Sequence, residues 1–177
     1  LYTRRSIVEC EIDELEKISH EEIVARSIFW PKSIEGFISS ETLLYFIRNT
    51  DNSWLREKLL LALLERIHRN LPKPHSLDGR TSSLSNMEIR DKVRDDFIDL
   101  LLVDQDSYEE RLDYFEVNFN SALAKDRVDA QNKIQNNSAL RTATIFNVGV
   151  NAVSLATPIA LATAFSKSGK NYIGRAL

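Results

Sequence analysis

Between Met87 and Leu123 apolar side chains recur at intervals of three and four residues, and this period constrains the fold more than any other feature of the chain. Val93, Phe97, Leu100 and Leu101, then Tyr108, Leu112, Phe115, Phe119 and Leu123 after a polar break, fall on one side of a 3.6-residue helix. Two amphipathic helices are predicted. In the break, VDQDSYEE, Ser107 stands three residues before Glu110, the spacing of a capping box that opens the second helix. Burying such leucine and phenylalanine side chains is worth roughly 1.5–3 kcal/mol each, so the stretch reads as core.

Five glycines and four prolines among 177 residues are too few to punctuate closely spaced strands. With 43% hydrophobic residues the chain holds enough apolar surface for a core. The expected fold class is all-α, a multi-helix bundle with a helix-turn-helix-like segment at its C-terminal end. Residues 1–73 read as an N-terminal helical region, 74–86 as a loop, 87–136 as a central helical core and 137–177 as a basic segment. In the N-terminal region Ile12, Leu15, Ile18 and Ile23 suggest one helix or two broken near Ser19-His20, where Ser19 and Glu22 have capping-box spacing. Pro31 and Gly36 mark a connection carrying Phe29 and Trp30. Helices are predicted from Ser40 through LLYFIR and, after NTDNS, from Trp54 through a broad stripe of Leu55, Leu59, Leu60, Leu63, Leu64 and Ile67. Arg66, His68 and Arg69 in its last turn suit the negative end of the helix dipole.

Residues that do chemistry do not converge. The lone cysteine, Cys10, has no internal partner and sits among acids that disfavour a thiolate. His20 lies beside two glutamates, with no second histidine within helical reach to share a metal. His75, Asp78 and Ser82 contain the groups of a hydrolytic triad, but no nucleophile-elbow pattern or Gly-rich phosphate loop accompanies them. Asp95 and Asp99 share a helical face in an acidic stretch, without the Glu-x-x-His pairs of a helical di-metal site. The expectation is therefore a non-enzymatic chain with no catalytic residue, metal site or cofactor, and a cytoplasmic location.

Charge is divided unevenly along the chain. All 26 acids lie at or before Asp129 with 18 of the 23 bases, a net of −8, whereas Ala130 to Leu177 holds five bases and no acid. Such a split suits an acidic body followed by a segment that tolerates nucleic acid or anionic lipid. Within that segment Ala143 to Phe165 is uncharged over 23 residues, long enough to cross a bilayer. Ala152, Ala156, Ala160 and Ala164 form a small-xxx-small ladder, opposed by the polar Asn147 and Asn151 and by Pro158. The other parsing breaks the run at Ser154 and starts a short helix at Pro158, where a missing amide costs nothing. SKS is then a turn and GKNYIGRAL a second helix. Lys167, Ser168, Lys170, Asn171 and Arg175 would gather at its start, where such modules meet phosphates and base edges.

LATAFSKSGKNYIGRAL resembles the helix-turn-helix of region 4 in sigma-70-type transcription initiation factors. Leu161, Ala162, Phe165 and Ser168 match its pattern, and Tyr172 falls at an apolar position; Ser166 replaces the usual turn glycine, and Arg175 a usual apolar residue. The upstream run RDKVRDDFIDLLLVDQDSYEERLDYFEVNFNSALAKDRVDAQ also looks like the helical N-terminal part of divergent sigma-like proteins. The resemblance implies core RNA polymerase as the partner of the acidic helices and DNA as the partner of Lys167, Ser168, Lys170, Asn171 and Arg175. The alternative reading is a helical interaction or adaptor protein whose apolar C-terminal helix inserts in a membrane or oligomerises.

Overall fold

The computed structural model describes the backbone of residues 3–75 and 82–168, with the side chains of those up to Leu140 apart from Ser138. Six helices run through these residues: α1 (Ser6–Leu15), α2 (His20–Ser27), α3 (Ser40–Asn49), α4 (Ser53–Asn70), α5 (Leu84–Asp106) and α6 (Glu110–Ser168). Among the described residues there is no strand, only an isolated bridge between His75 and Ser82. The fold is an all-α bundle, as the spacing predicts.

Short polar side chains start most of the helices by accepting an otherwise unpaired amide, each worth about 1 kcal/mol. Ser19 Oγ accepts from the Glu22 amide at 3.3 Å and Ser39 Oγ from that of Thr42 at 3.2 Å. Asn52 Oδ1 accepts from the Leu55 amide at 3.1 Å, and Ser83 Oγ from the Asn86 amide at 3.3 Å, which starts α5 inside the expected loop. The expected box at Ser107 and Glu110 does not form. Ser107 instead ends α5, its amide bonded to the Val103 carbonyl at 2.8 Å, and Asp104 Oδ1 takes the Glu109 amide at 2.9 Å. Asp104 is fixed there by Arg48, and the Glu109 side chain, directly before α6, accepts the Arg111 amide at 3.2 Å as the local cap.

The core joins both sides of the 76–81 stretch. Leu55, Leu59, Leu63 and Ile67 line the buried side of α4, which packs on α2, α3 and α5. Val93, Phe97, Leu100 and Leu101 of α5 belong to the same cluster as Leu112, Phe115, Phe119 and Leu123 of α6. Phe97, Phe115 and Phe119 form an edge-to-face triangle with centroids 5.3, 5.9 and 5.5 Å apart, and such contacts add about 0.5–1.5 kcal/mol to burial. Tyr108 departs from the expected stripe: it precedes α6, is 72% exposed, and hydrogen-bonds Asp113 instead of entering the core. α6 kinks at Asn118, with φ −143° and ψ 60°, and Phe119 is still fully buried.

The chain divides into two compact units, Leu1–Ile134 and Gln135–Leu177. In the second, α6 passes through Ser154 and Pro158 and ends at Ser168, so the helix start at Pro158 and the turn at 166–168 expected of a helix-turn-helix are not formed. Proline inside a helix removes one hydrogen bond, but the flanking Leu155, Ala156, Ala160 and Leu161 are among the strongest helix formers and carry the helix across it. The proposed second helix begins at Gly169, outside the described residues.

Candidate functional site

The most concentrated polar chemistry lies where α3, α5 and α6 meet. Arg48, near the end of α3, bonds Asp104 through two nitrogens at 2.8 Å each, Asp113 at 2.9 Å and Glu116 at 2.7 Å. Arg4 reaches Glu116 from the N-terminal side at 2.5 Å and lies 4.8 Å from the centroid of the Tyr45 ring. These groups line an open cavity of about 660 Å³. A planar guanidinium is suited to this work because its fork satisfies a carboxylate through two parallel bonds. Burial acts to raise the Asp104 carboxyl, but hydrogen bonds from Arg48 and the Glu109 amide, with the Arg48 charge, hold it below the usual carboxylate value. Burial also acts to lower the Arg48 guanidinium, and its bonds to Asp104 and Asp113 with the Glu116 charge raise it instead. Every donor face of Arg48 turned into the cavity is taken by a carboxylate, so the cluster is a clasp between helices.

Other charged groups are spent in the same way. Glu11 of α1 accepts from the Ser39 amide at 3.0 Å and from the Ser39 hydroxyl at 2.6 Å, anchoring the start of α3. Arg66, only 3% exposed, donates to the carbonyls of Ile38, Ser27 and Phe29, and burial pushes its guanidinium down to about 10. His68 and Arg69 stand in the last turn of α4 as expected, Arg66 turns away to the carbonyls above, and a cation of another helix joins them. Arg90 of α5 donates to the His68 carbonyl at 2.8 Å and the Pro72 carbonyl at 3.2 Å. Burial, then the charges of Arg90 and Arg94, lower the His68 imidazole from its ordinary value.

Of the residues singled out in the sequence, the structure brings together His75 and Ser82, and the others do not join them among the described residues. Ser82 Oγ lies 3.4 Å from His75 Nδ1 at an exposed position, while Asp78 is outside the described residues. His20 Nδ1 is 3.2 Å from the Asn52 side-chain amide. On the acidic helices Arg94 pairs with Asp91 at 3.2 Å and Asp95 at 2.8 Å, and Lys92 with Asp96 at 2.6 Å. Among the described residues no group of three or more His, Cys, Asp or Glu side chains is placed to hold a metal ion. Lys167 and Ser168 end α6, and Lys170, Asn171 and Arg175 lie outside the described residues. Among the described residues no helix is long and apolar enough to cross a membrane; the side chains of 143–165 are not in that set.

Sequence reasoning missed Arg48, Glu11, Arg66 and Arg90 because their partners are 18 to 68 residues away. The one available signal was Arg48 itself, a charge at the end of the otherwise apolar run LLYFIR. No family model, no curated protein and no solved structure matches the chain.

Proposed function

We propose that the chain is a non-enzymatic, sigma-like binding protein whose acidic helical body docks on RNA polymerase core and whose basic C-terminal end lies along DNA phosphates. The observation that carries this reading is the division of charge: a net of −8 up to Asp129, then five bases and no acid. The way the body uses its buried ionic groups supports the non-enzymatic part, since Arg48, Arg66, Glu41 and Glu116 are all bonded within the bundle. With α6 continuous through Pro158, the proposal does not include a recognition helix or base pairing by Asn171. Lys167, Lys170 and Arg175 contact phosphates, and Ser168 donates to a phosphate oxygen. Three neutralised phosphates give a slope of log affinity against log salt of about −3.

A second reading is favoured by the helical course of α6 across the uncharged residues 143–165. At about 1.5 Å per residue that stretch measures roughly 35 Å, enough for a hydrocarbon core of about 30 Å, so it would anchor the body in a bilayer. One experiment separates the two. The full chain is titrated with a fluorescent DNA duplex at several salt concentrations, applied to a polymerase-core column, and floated with phosphatidylcholine liposomes. Salt-sensitive DNA binding that Lys170→Glu and Arg175→Glu abolish, with retention by polymerase core, supports the sigma-like reading. Flotation that survives high salt, with no DNA binding, replaces it with the bilayer anchor.

A further inference from the structure

The bend in α6 is sharp. In a straight helix Arg111 and Asp126 would lie about 22 Å apart at 1.5 Å per residue, beyond the combined reach of their side chains. Instead Arg111 Nη2 stands 3.6 Å from Asp126 Oδ1. Arg111, Tyr114 and Phe115 also line one open cavity of about 510 Å³ together with Ala122 and Asp126. The limb 110–117 and the limb 119–134 therefore fold back toward each other. Only Asn118 between them leaves helical torsions, with φ −143° and ψ 60°.

Nothing local in the chain requires this elbow. No glycine or proline, the residues that ordinarily end a helix, lies between Glu110 and Ile134. Leu112, Phe115, Phe119, Leu123 and Ala130, each no more than 3% exposed, recur at intervals of three, four and seven, so the buried stripe keeps one helical register straight through Asn118. Asn118 itself is exposed, and no packing of its side chain fixes the bend. The torsions of one residue thus separate the elbow from a continuous rod.

A single chain cannot straighten alone, because Phe119, Leu123 and Ala130 would leave the core, where Phe119 meets Phe97 edge to face at 5.9 Å. Two chains can straighten together. When each lays its 119–134 limb on α5 of the other, Phe119 meets Phe97 and Asp126 meets Arg111 across the two copies, and the contacts of the elbow are remade. A straight α6 also completes the backbone bonds that a non-helical residue interrupts. We infer that Asn118 is a hinge at which α6 opens, and that the chain forms a dimer by exchanging residues 119–134 with a second copy of itself. This rests on the unit Leu1–Ile134 and is independent of the polymerase, DNA and bilayer readings.

The test uses the full chain with Cys10 replaced by serine, refolded at high concentration and studied by sedimentation equilibrium. Asn118→Ala favours the straight helix at both hinges of a dimer, which is expected to raise the association constant about tenfold, and Asn118→Gly is expected to lower it about twofold. Crosslinking identifies the interface. Chains carrying Arg111→Cys and chains carrying Asp126→Cys are mixed, refolded together and treated with a short bismaleimide, and a covalent dimer joining the two kinds of chain is expected. This arm keeps Asn118, so it decides the matter even where a residue 118 variant fails to fold. Wild type and Asn118→Ala that both stay monomeric, or an association constant indifferent to residue 118, would overturn the inference. So would a dimer that gives no link between the mixed chains, because it would then be held together elsewhere, as by the apolar residues 143–165.

Discussion

Replacing Arg48 with methionine keeps the length and apolar stem of the side chain and removes the charge that three carboxylates share. Asp104, Asp113 and Glu116 have side chains 12%, 29% and 4% exposed, and once Arg48 is gone only Arg4 remains at the clasp to neutralise Glu116. Breaking a buried ion pair from one side costs about 3–5 kcal/mol, because the surviving charges are left desolvated. A unit with total stability of about 5–15 kcal/mol loses a large part of it. The assay is urea denaturation followed by circular dichroism from pH 7 down to pH 4. In the wild type the folded Asp104 carboxyl sits below its ordinary value, so its contribution is complete above about pH 4 and is lost as pH falls through the lowered folded value. In Arg48→Met the Asp104 carboxyl keeps its burial, which raises it, and loses the cation that lowers it, so the variant gains stability as pH falls from 7 toward about 5. Over that window the wild-type contribution is flat, whereas the stability of the variant rises as pH falls. A loss below about 1 kcal/mol at pH 7, or profiles that run parallel, would refute the claim that Arg48 is the tie between α3, α5 and α6.

Two further titrating groups give readable consequences. Burial, reinforced by Asp129 and Asp96 and opposed by Arg111, raises the Asp126 carboxyl, so its ionised form weakens the fold at neutral pH. Asp126→Asn is expected to raise the urea midpoint at pH 7 by the equivalent of less than about 1 kcal/mol, a gain that disappears below about pH 4 where the wild-type carboxyl is protonated in both states. His68, with its imidazole lowered by burial and then by Arg90 and Arg94, contributes stability that is complete above about pH 6.5 and lost as pH falls through its folded value. In His68→Gln the slope of stability between about pH 6.5 and pH 5 should flatten, and an unchanged slope would show that His68 does not carry it.

What could be read from the chain and what could not differ in range. A helix announces itself within four residues, which is why Leu55, Leu59 and Leu63, or Phe115 and Phe119, are buried where their spacing puts them. Caps are equally local, and Ser19 and Asn52 start helices as turn chemistry suggests. Ser107 is replaced as the cap by Glu109, which accepts the Arg111 amide while its own amide goes to Asp104, held by Arg48 from 56 residues away. At the last turn of α4 the local cations His68 and Arg69 are legible in the chain, whereas Arg90, 22 residues beyond the His68 carbonyl it binds, is not. Pro158 by its own chemistry suits a helix start, and the helix formers on either side carry α6 past it.

The same difference in range explains why the surfaces of the chain were unequally visible. The acid-free end of the chain is a property of composition, legible without any fold, and so it led the functional reading. The face where Ile28, Trp30 and Leu61 stand 72%, 40% and 55% exposed beside α2 and α4 has no such signature. Phe29 and Trp30 stand out in the chain as aromatics of a connection beside Pro31, but Leu61 lies outside the predicted stripe of α4 and nothing local joins it to them. Ile28, Trp30 and Leu61 become one surface only because Arg66, spanning from α4 to the carbonyls of Ser27, Phe29 and Ile38, fixes the connection after α2 against α4. The tie that builds this part of the bundle is therefore also what brings these three exposed side chains onto one face.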